Sequence, residues 1–450
     1  MTDYKDKSYW LSTVDIQPDE PLRGDRTADI VIIGGGYTGL STAYHLKEID
    51  PSLQVVLLES EVIGYGASGR NAGFVMTLFG FTLSLTRFRF GPRRAKEAHH
   101  YMERAVDYTR ELVEEHALDC EFEFPGFLRV ATTPVYAKDI QKEIALAEKL
   151  GLQGIEWIDR DALRERIHSD VYYGAWFERR CGLFHPVKFA REMKRLCFDR
   201  GVQIYEQSPA MEVQLRPTVS VNTPEGTIKA QKIMFAANAY SVQIPALRRK
   251  QVPVVTHITL TRPLTDAELE PIGWSGREGI EDSRNLVHYY RLTKDNRLLM
   301  GGGNVAIPYG KTIDPDPDTG IVRELREHTG VLFPHLADVE HTHSWCGPVS
   351  VPVDLTPALG YIGDERAVYS LGCVGHGVSM AQLNGKTAAD LLLGRKSGLT
   401  EVFFVNRRVI PWPPEPIRLI IARALRGFFR LEDRINERPL TRKGTSEKHP

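Results

Sequence analysis

The sequence predicts an α/β protein: a doubly wound, nucleotide-binding domain assembled from discontinuous segments of chain, joined to an α+β domain with an antiparallel sheet. Three observations predict it. A strand–helix–strand unit opens the chain over residues 29–59. Glycine turns recur beside apolar runs near residues 34, 66 and 375. Residues 284–303 read as a hairpin with "TKDN" at its turn.

The elements follow in order. "DIVII" (29–33) is a short unbroken apolar run, as a strand buried on both faces requires. It enters "GGGYTGLSTAYHLKEID", which has helical spacing and is stopped by Pro51, and "LQVVLLES" is a second buried strand. That order makes a parallel βαβ unit. Helices are predicted over 94–118 and 137–150. Residues 121–131 alternate as a strand with a turn at Pro125–Gly126, and 231–241 form an apolar strand entering a small-residue turn. "AVYSLGCVGHGVSMAQLNGKTAADLLLG" closes with a strand, a glycine turn and a helix ending at Gly394.

Composition bounds the function. A chain of 450 residues, 42% hydrophobic, can bury two domain cores. Its 57 basic side chains are matched by 58 acidic ones, so no excess cation is available to neutralise phosphates, and a nucleic-acid partner is excluded. Five cysteines (Cys120, Cys181, Cys197, Cys346, Cys373), odd in number and without a C-x-x-C pair, read as a reduced intracellular chain. The polar start "MTDYKDKSYWLSTVD" has no signal-peptide core, and no run of about 18 apolar residues occurs. The expectation is a soluble cytoplasmic protein.

"GGGYTG" fits G-x-G-x-x-G with Gly34, Gly36 and Gly39. The first glycine allows a tight turn and the second the approach of a pyrophosphate. The third permits close packing of helix on strand, whose N-terminus offers free N–H groups. Tyr37, Thr38 and Ser60 border the same crevice. Glu59 closes the second strand where a ribose 2′-hydroxyl is held, which favours a ribose without a 2′-phosphate. FAD and NAD both satisfy this pattern.

The next stretch, "GYGASGRNAGFV" (64–75), is nearly bare of side-chain bulk, apart from Arg70 and Asn71. An NAD dehydrogenase is expected to continue into another βα crossover here, and this segment is too glycine-rich for a helix. A surface loop would share the composition. Its departure from the nucleotide end of the sheet favours contact with a ligand.

Together, "DIVIIGGGYTGLSTAYHL", "VVLLES" and "GYGASGRNAG" resemble the FAD-dependent D-amino-acid-oxidase superfamily, which includes glycine and sarcosine oxidases. The likeness is strongest to bacterial gamma-glutamylputrescine oxidases and their relatives. "FAANAYS", "HYYRLTKDNRLLMGGG", "WCGPVSVPVDLTPALGYIG" and "SLGCVGHGVSMAQLNGKTAADLL" extend it over roughly residues 8–400. The resemblance implies an FAD-binding Rossmann-type domain from 1–90, 182–245 and 345–400, and a substrate domain from 91–181 and 246–344. A tail follows over 401–450.

It also implies site residues. Gly66, Ala67, Ser68, Arg70, Asn71, Ala72 and Gly73 are expected beside the FAD pyrophosphate and ring, and Phe74 to Met76 near the isoalloxazine. Ala237 and Asn238 are expected along the nucleotide half. Gly375, His376, Gly377 and Val378 are expected at the pyrimidine end of the ring, with the following helix aimed at it. Chemistry is then hydride transfer from the carbon beside an amine of a small-molecule amine or amino acid, followed by hydrolysis of the imine. The strand "LVHYYRL" is expected to cover the flavin ring. His288 and Tyr290 on one face are the first candidates for substrate contact, with Arg291 on the other as a carboxylate clamp. Ordinary sheet aromatics are the plainer reading.

Two departures from sarcosine-type oxidases stand out. Their lysine on the following strand, which promotes reaction with oxygen, has no counterpart in "RLLMGG". Cys346 lies near the position of their flavin-tethering cysteine, but its surroundings match the non-covalent subgroup, so FAD is expected to be non-covalent. Oxygen is the first acceptor considered and quinone the second. A non-catalytic flavin-binding subunit is the reading from another class.

"EHTHSWC" puts His341, His343 and Cys346 near one another, without a second ligand cluster, and no metal is expected. His99 and His100 are expected to be solvated. In the tail, Ile417, Ile420, Ile421, Ala424, Leu425 and Phe428 follow helical spacing, interleaved with Arg418, Arg423, Arg426 and Arg430. Such a basic amphipathic helix either docks on its own protein or makes a peripheral membrane contact. The oligomeric state is not readable.

Overall fold

The computed structural model describes residues 4–310 and 312–437. A first sheet runs in the order Ala358–Ile362, Asp364–Leu371, Thr227–Phe235, Arg26–Ile33, Val55–Leu58, Gln203–Tyr205, with two short strands (Glu212–Gln214, Val219–Asn222) off one side. Four of the five joints along this order are parallel, and the edge joint of Ala358–Ile362 on Asp364–Leu371 is antiparallel. Ile30, Val31 and Ile32 are buried on both faces, which is why this strand is apolar without alternation. The helices Tyr37–Ile49, Pro186–Asp199 and Gly377–Leu392 cover the sheet and share one core with it.

The second sheet runs His341–Val351, Val252–Thr261, Leu298–Gly302, His288–Leu292, Gly279–Asp282, Phe127–Val130, Ala175–Glu178, Ile155–Ile158. Every joint is antiparallel except Gly279–Asp282 on Phe127–Val130, where the two inserted segments of chain meet in parallel. The hairpin around "TKDN" joins His288–Leu292 to Leu298–Gly302, pairing Tyr289 with Gly301 and Tyr290 with Met300.

Two expected boundaries move. The helix Pro92–Glu115 was assigned by sequence to the substrate domain, but Ala98, Tyr101, Met102, Ala105 and Val106 pack into the core of the first sheet. The strand His341–Val351 carries the second sheet past the expected boundary at 345. His99 differs as well. It is buried on the inner face of Pro92–Glu115 rather than solvated, and burial holds its imidazole down to about 4, while His100 next to it is exposed.

The tail helix Ile417–Asn436 lies on the protein by a mixed face, in which Arg418 and Asp433 flank Ala422, packed with Leu419 against Val252, Ile307 and Trp412. Arg418 donates to the carbonyls of Arg248 and Gly310 at 3.2 and 3.1 Å, and Arg426 to that of Val305 at 2.9 Å. Asp433 accepts from the backbone of Asn285 and Leu286 and from the Tyr136 hydroxyl. Ile420 and Phe428, 64% and 59% exposed, face outward with Ile417, Ile421, Leu431 and Ile435. The tail therefore docks on the body, but by this mixed face and not by the one its apolar pattern suggests. Residues 438–450 lie outside the described part of the chain.

Candidate active site

Ile33 is in register with both Leu58 and Phe235, so the turns after these strands open along one edge of the first sheet. A cavity of about 930 Å³ runs along that edge. Gly34, Gly36, Tyr37 and Thr38 wall it from the first turn, and Glu59 and Ser60 from the second. Ala237 and Asn238 line it from a third segment, and Gly375, Gly377 and Val378 from a fourth.

The local geometry of these turns fits a dinucleotide. Gly36 caps the helix Tyr37–Ile49 without a side chain, leaving a helix N-terminus whose Gly36, Tyr37 and Thr38 line the cavity. Gly39 does not line the cavity; a Cβ there would sit 1.9 Å from the Gly34 carbonyl oxygen, so it is the glycine that lets helix and turn touch. Glu59 accepts from the N–H of Gly35 at 2.7 Å, and burial pushes its carboxyl upward. Its acceptor position at the end of the second strand suits a ribose hydroxyl. Gly375 has φ +89° with no atom within 4 Å of where a Cβ would project, so the backbone there faces open cavity.

The bare loop after Glu59 has two explanations, one internal and one directed at the cavity. A Cβ on Gly69 would meet the Gly64 carbonyl oxygen at 2.1 Å, and one on Gly73 the Phe184 carbonyl oxygen at 2.1 Å. These glycines allow the loop to pack on itself and on its neighbour, and Gly73 lines neither cavity. Gly66, Ala67, Ser68 and Asn71 do line the first cavity. The Ser68 hydroxyl accepts from the N–H of Tyr37 at 3.0 Å, tying the loop to the helix N-terminus. The Asn71 carboxamide folds the loop, donating to Ala67 and Ser68 carbonyls and accepting from Gly73 N–H.

Arg70 lines the adjoining cavity and not this one. Its guanidinium turns away from the first cavity, pairs with Asp314, donates to the carbonyl of Tyr65 at 3.0 Å and lies over the Tyr65 ring. It ties the loop to residue 314 and adds no charge to the dinucleotide cavity.

A second cavity of about 430 Å³ adjoins the first, sharing Ala67, Asn71, Pro348, Val349, Gly375 and Val378 as common lining. Ala72, Phe74, Met76 and His376 line this second cavity and not the first. The His376 Nδ1–H donates to the Gly80 carbonyl at 2.9 Å, and burial lowers the imidazole to about 4, so the ring is neutral. The helix Gly377–Leu392 starts at the seam between the cavities, directing its positive end there.

The strand His288–Leu292 alternates as predicted, but the faces are exchanged. Tyr290 is fully buried in the core of the second domain, its hydroxyl bonded to that of Tyr172 at 2.6 Å. His288 bonds Asp282 at 3.0 Å and stacks on His328 at 4.0 Å. Neither lines the cavity. Tyr289 does, edge-on to Phe74. Arg291 shares its side of the sheet but reaches the carbonyls of Ala72 and Phe184 at 3.2 and 3.0 Å, and burial pulls its guanidinium down to about 10. It is a strut between domains, and no clamp in the cavity.

Sequence reasoning passed over Glu281, which lines the second cavity beside Tyr289 and Arg129. The available signal was the pair of acids in the short strand "GIED", where a buried sheet leaves little room for charge. Cys346, the tethering candidate, lines neither cavity; its thiol donates to the Pro315 carbonyl at 3.2 Å. His341 and His343 bond to Thr259 and Thr342. Asp282, His288 and His328 bring three ligand atoms within 4.8 Å, but Arg284 pairs with the Asp282 carboxylate and the two rings stack face to face, an ion-pair strut in geometry.

Comparison with known proteins accords with this site. The gamma-glutamylputrescine oxidoreductase of Escherichia coli K12 is 30% identical over 97% of this chain and 100% of its own length. A probable oxidoreductase, OrdL, of Rhizobium meliloti is 31% identical over 90% of this chain and 91% of its own. The crystal structure of glycine oxidase from Geobacillus kaustophilus superposes with a TM-score of 0.73 at 20% identity, covering 85% of this chain and 99% of that one. A family model described as FAD dependent oxidoreductase (DAO) matches residues 29–391. The chain belongs to this DAO family and is an FAD-dependent oxidoreductase.

Proposed function

We propose that this enzyme oxidises the C–N bond of a primary or secondary amine, of the kind named by its gamma-glutamylputrescine relative. The observation that carries this reading is the seam between the two cavities. A cofactor held along the first would present its reactive ring where the second, closed by Phe74, Met76 and Tyr289, admits a small organic molecule.

Bound non-covalently, FAD would supply the two-electron oxidation, as a hydride acceptor for the carbon that bears the nitrogen. The chain's own residues do the rest. Gly36 and Thr38 would offer N–H groups to the pyrophosphate, beside a Tyr37 N–H held by Ser68, and Glu59 would orient a ribose. The start of Gly377–Leu392 stabilises negative charge at the seam. Apolar walls exclude water until the substrate imine leaves for hydrolysis. With oxygen as acceptor, aldehyde and amine release would track oxygen uptake one to one during turnover of an amine panel. Turnover of α-hydroxy acids and not amines would overturn the reading.

A second acceptor, membrane quinone, is favoured by the tail helix. Its outer face is apolar, while Ala422, Leu425 and Phe429 wall the mouth of the second cavity. We propose that this face meets an anionic lipid surface, with exposed Arg423 and Arg434 at its flank. Flotation with phosphatidylglycerol vesicles, and reduction of a short-chain ubiquinone analogue, would both weaken in the Ile420→Glu, Phe428→Glu variant. Concentration-dependent dimerisation without flotation would assign the face to a second copy instead.

A further inference from the structure

Glu281 stands out among the buried acids of the second domain. It is 6% exposed and points into the second cavity. Its neighbour Asp282 is paired with Arg284 and bonded by His288, and Glu178 accepts from the Thr77 hydroxyl at 2.6 Å. Among the described residues, by contrast, no hydrogen bond to the Glu281 carboxylate is found. The nearest cation-forming group is His376, whose Nε2 is 4.0 Å away and whose Nδ1–H is committed to Gly80. From the flanking strands Arg129 and Tyr289 stand beside it, and Arg129 acts on it through charge alone. A buried carboxylate left without a partner is costly unless something arrives to meet it.

We propose that Glu281 receives the ammonium of the substrate and takes a proton from it before the C–N bond is oxidised. The assignment rests on the amine reading given above. In this step one N–H bond breaks, its electron pair stays on nitrogen as the lone pair needed for oxidation, and the proton passes to a carboxylate oxygen of Glu281. No electron is transferred. The substrate class is an amine that is cationic in water and reaches the seam through a largely apolar cavity.

Burial pushes the Glu281 carboxyl up to about 7, with Arg129 opposing and Asp282 reinforcing the shift. It is therefore poised to exchange a proton near neutral pH. The other groups that face it do not titrate there: the imidazole of His376 is held at about 4, and burial raises Tyr289 above the usual phenol range. A free alkyl amine titrates near pH 10.

The test uses the FAD-loaded enzyme without oxygen, with gamma-glutamylputrescine as probe and bleaching of the flavin bands as readout, between pH 5.5 and 9. In the wild type, bleaching at limiting probe is expected to rise through about pH 7. E281Q is expected to weaken apparent probe binding about tenfold to a hundredfold, the span of a hydrogen bond to a charged group, and to abolish the rise. Binding of the neutral alcohol analogue, read as a shift of the flavin bands, stays within about twofold because no charge is met. Should E281Q fail to retain FAD, E281D decides: weakened probe binding with the rise retained supports the proposal, and wild-type binding overturns it. E281Q with wild-type binding and an unchanged rise would also overturn it. A wild type bleached by no amine would fail at the amine reading itself, a result distinct from either.

Discussion

His376 and Glu281 face each other at 4.0 Å, one from the N-cap of the helix that starts at the cofactor seam and the other from the central strands of the second domain. The two domains thus meet at a neutral imidazole and a lone buried acid. Which of the two titrates during turnover can be separated by mutation. Because burial holds His376 at about 4, His376→Ala is expected to lower the rate of amine-dependent bleaching evenly from pH 6 to 9 and keep its rise near neutrality. Loss of the rise in this variant would assign the titration to His376.

The glycine loop is expected to fail by backbone geometry more than by lost ligand contact. Gly73→Ala puts a methyl 2.1 Å from the Phe184 carbonyl oxygen at φ +79°. The expected loss is on the order of 2–4 kcal/mol, with FAD stoichiometry falling alongside the melting temperature. Gly91→Ala, at φ +82° and ψ 169° with no atom within 4 Å, is the control: it carries the backbone strain alone, on the order of 1–3 kcal/mol.

Asp314 is expected to matter through Arg70. Burial works against its ionisation, but Arg70 and Tyr65 outweigh that and hold the carboxyl below its usual range. The stabilisation is therefore present above the ordinary carboxylate range and disappears as pH falls through the lowered native value. Asp314→Ala strands a buried guanidinium and is expected to remove about 2 kcal/mol at pH 7, measured by urea unfolding. The loss should shrink on acidification. An equal loss at pH 7 and pH 3 would point to packing instead.

Glu178 gives the opposite sign. Burial pushes its carboxyl up to about 7, so the folded state holds the proton more tightly than the unfolded chain. That stabilisation is complete below the ordinary glutamate range and is lost as pH rises through about 7. Glu178→Gln is expected to raise stability at pH 8 by on the order of 1–2 kcal/mol relative to its effect at pH 5, read as the difference in melting temperature. Identical shifts at both values would rule this out.

The parts legible in the sequence were those set by local backbone chemistry. The turn at Gly34, Gly36 and Gly39 and the acid Glu59 specify the first cavity because their spacing alone brings them to one edge. Alternation along "HYYRL" was equally legible, since a pleat has a period of two. Which face meets the cavity was not, because it depends on where the other domain lies, and so Tyr289 and Tyr290 exchanged roles. The partners of Arg70 and Arg291 were not legible for a related reason. A guanidinium in a bare loop or on a covering strand reads as a ligand contact, whereas here Arg291 answers two carbonyls of the first domain, and Arg70 answers a carbonyl of its own loop and the Asp314 carboxylate. The tail helix leaves its isoleucines outward because four arginines, Arg418, Arg423, Arg426 and Arg430, found carbonyl or carboxylate partners that the isoleucines could not use.

The most direct measurement is the visible spectrum of the FAD-loaded protein during anaerobic addition of gamma-glutamylputrescine and a panel of other amines. The expected result is full bleaching of the flavin bands by at least one amine, with the colour returning when oxygen or a quinone analogue is admitted. A protein that holds FAD yet keeps its spectrum through the whole panel, while a non-amine substrate bleaches it, would contradict the assignment of amine oxidation to this site.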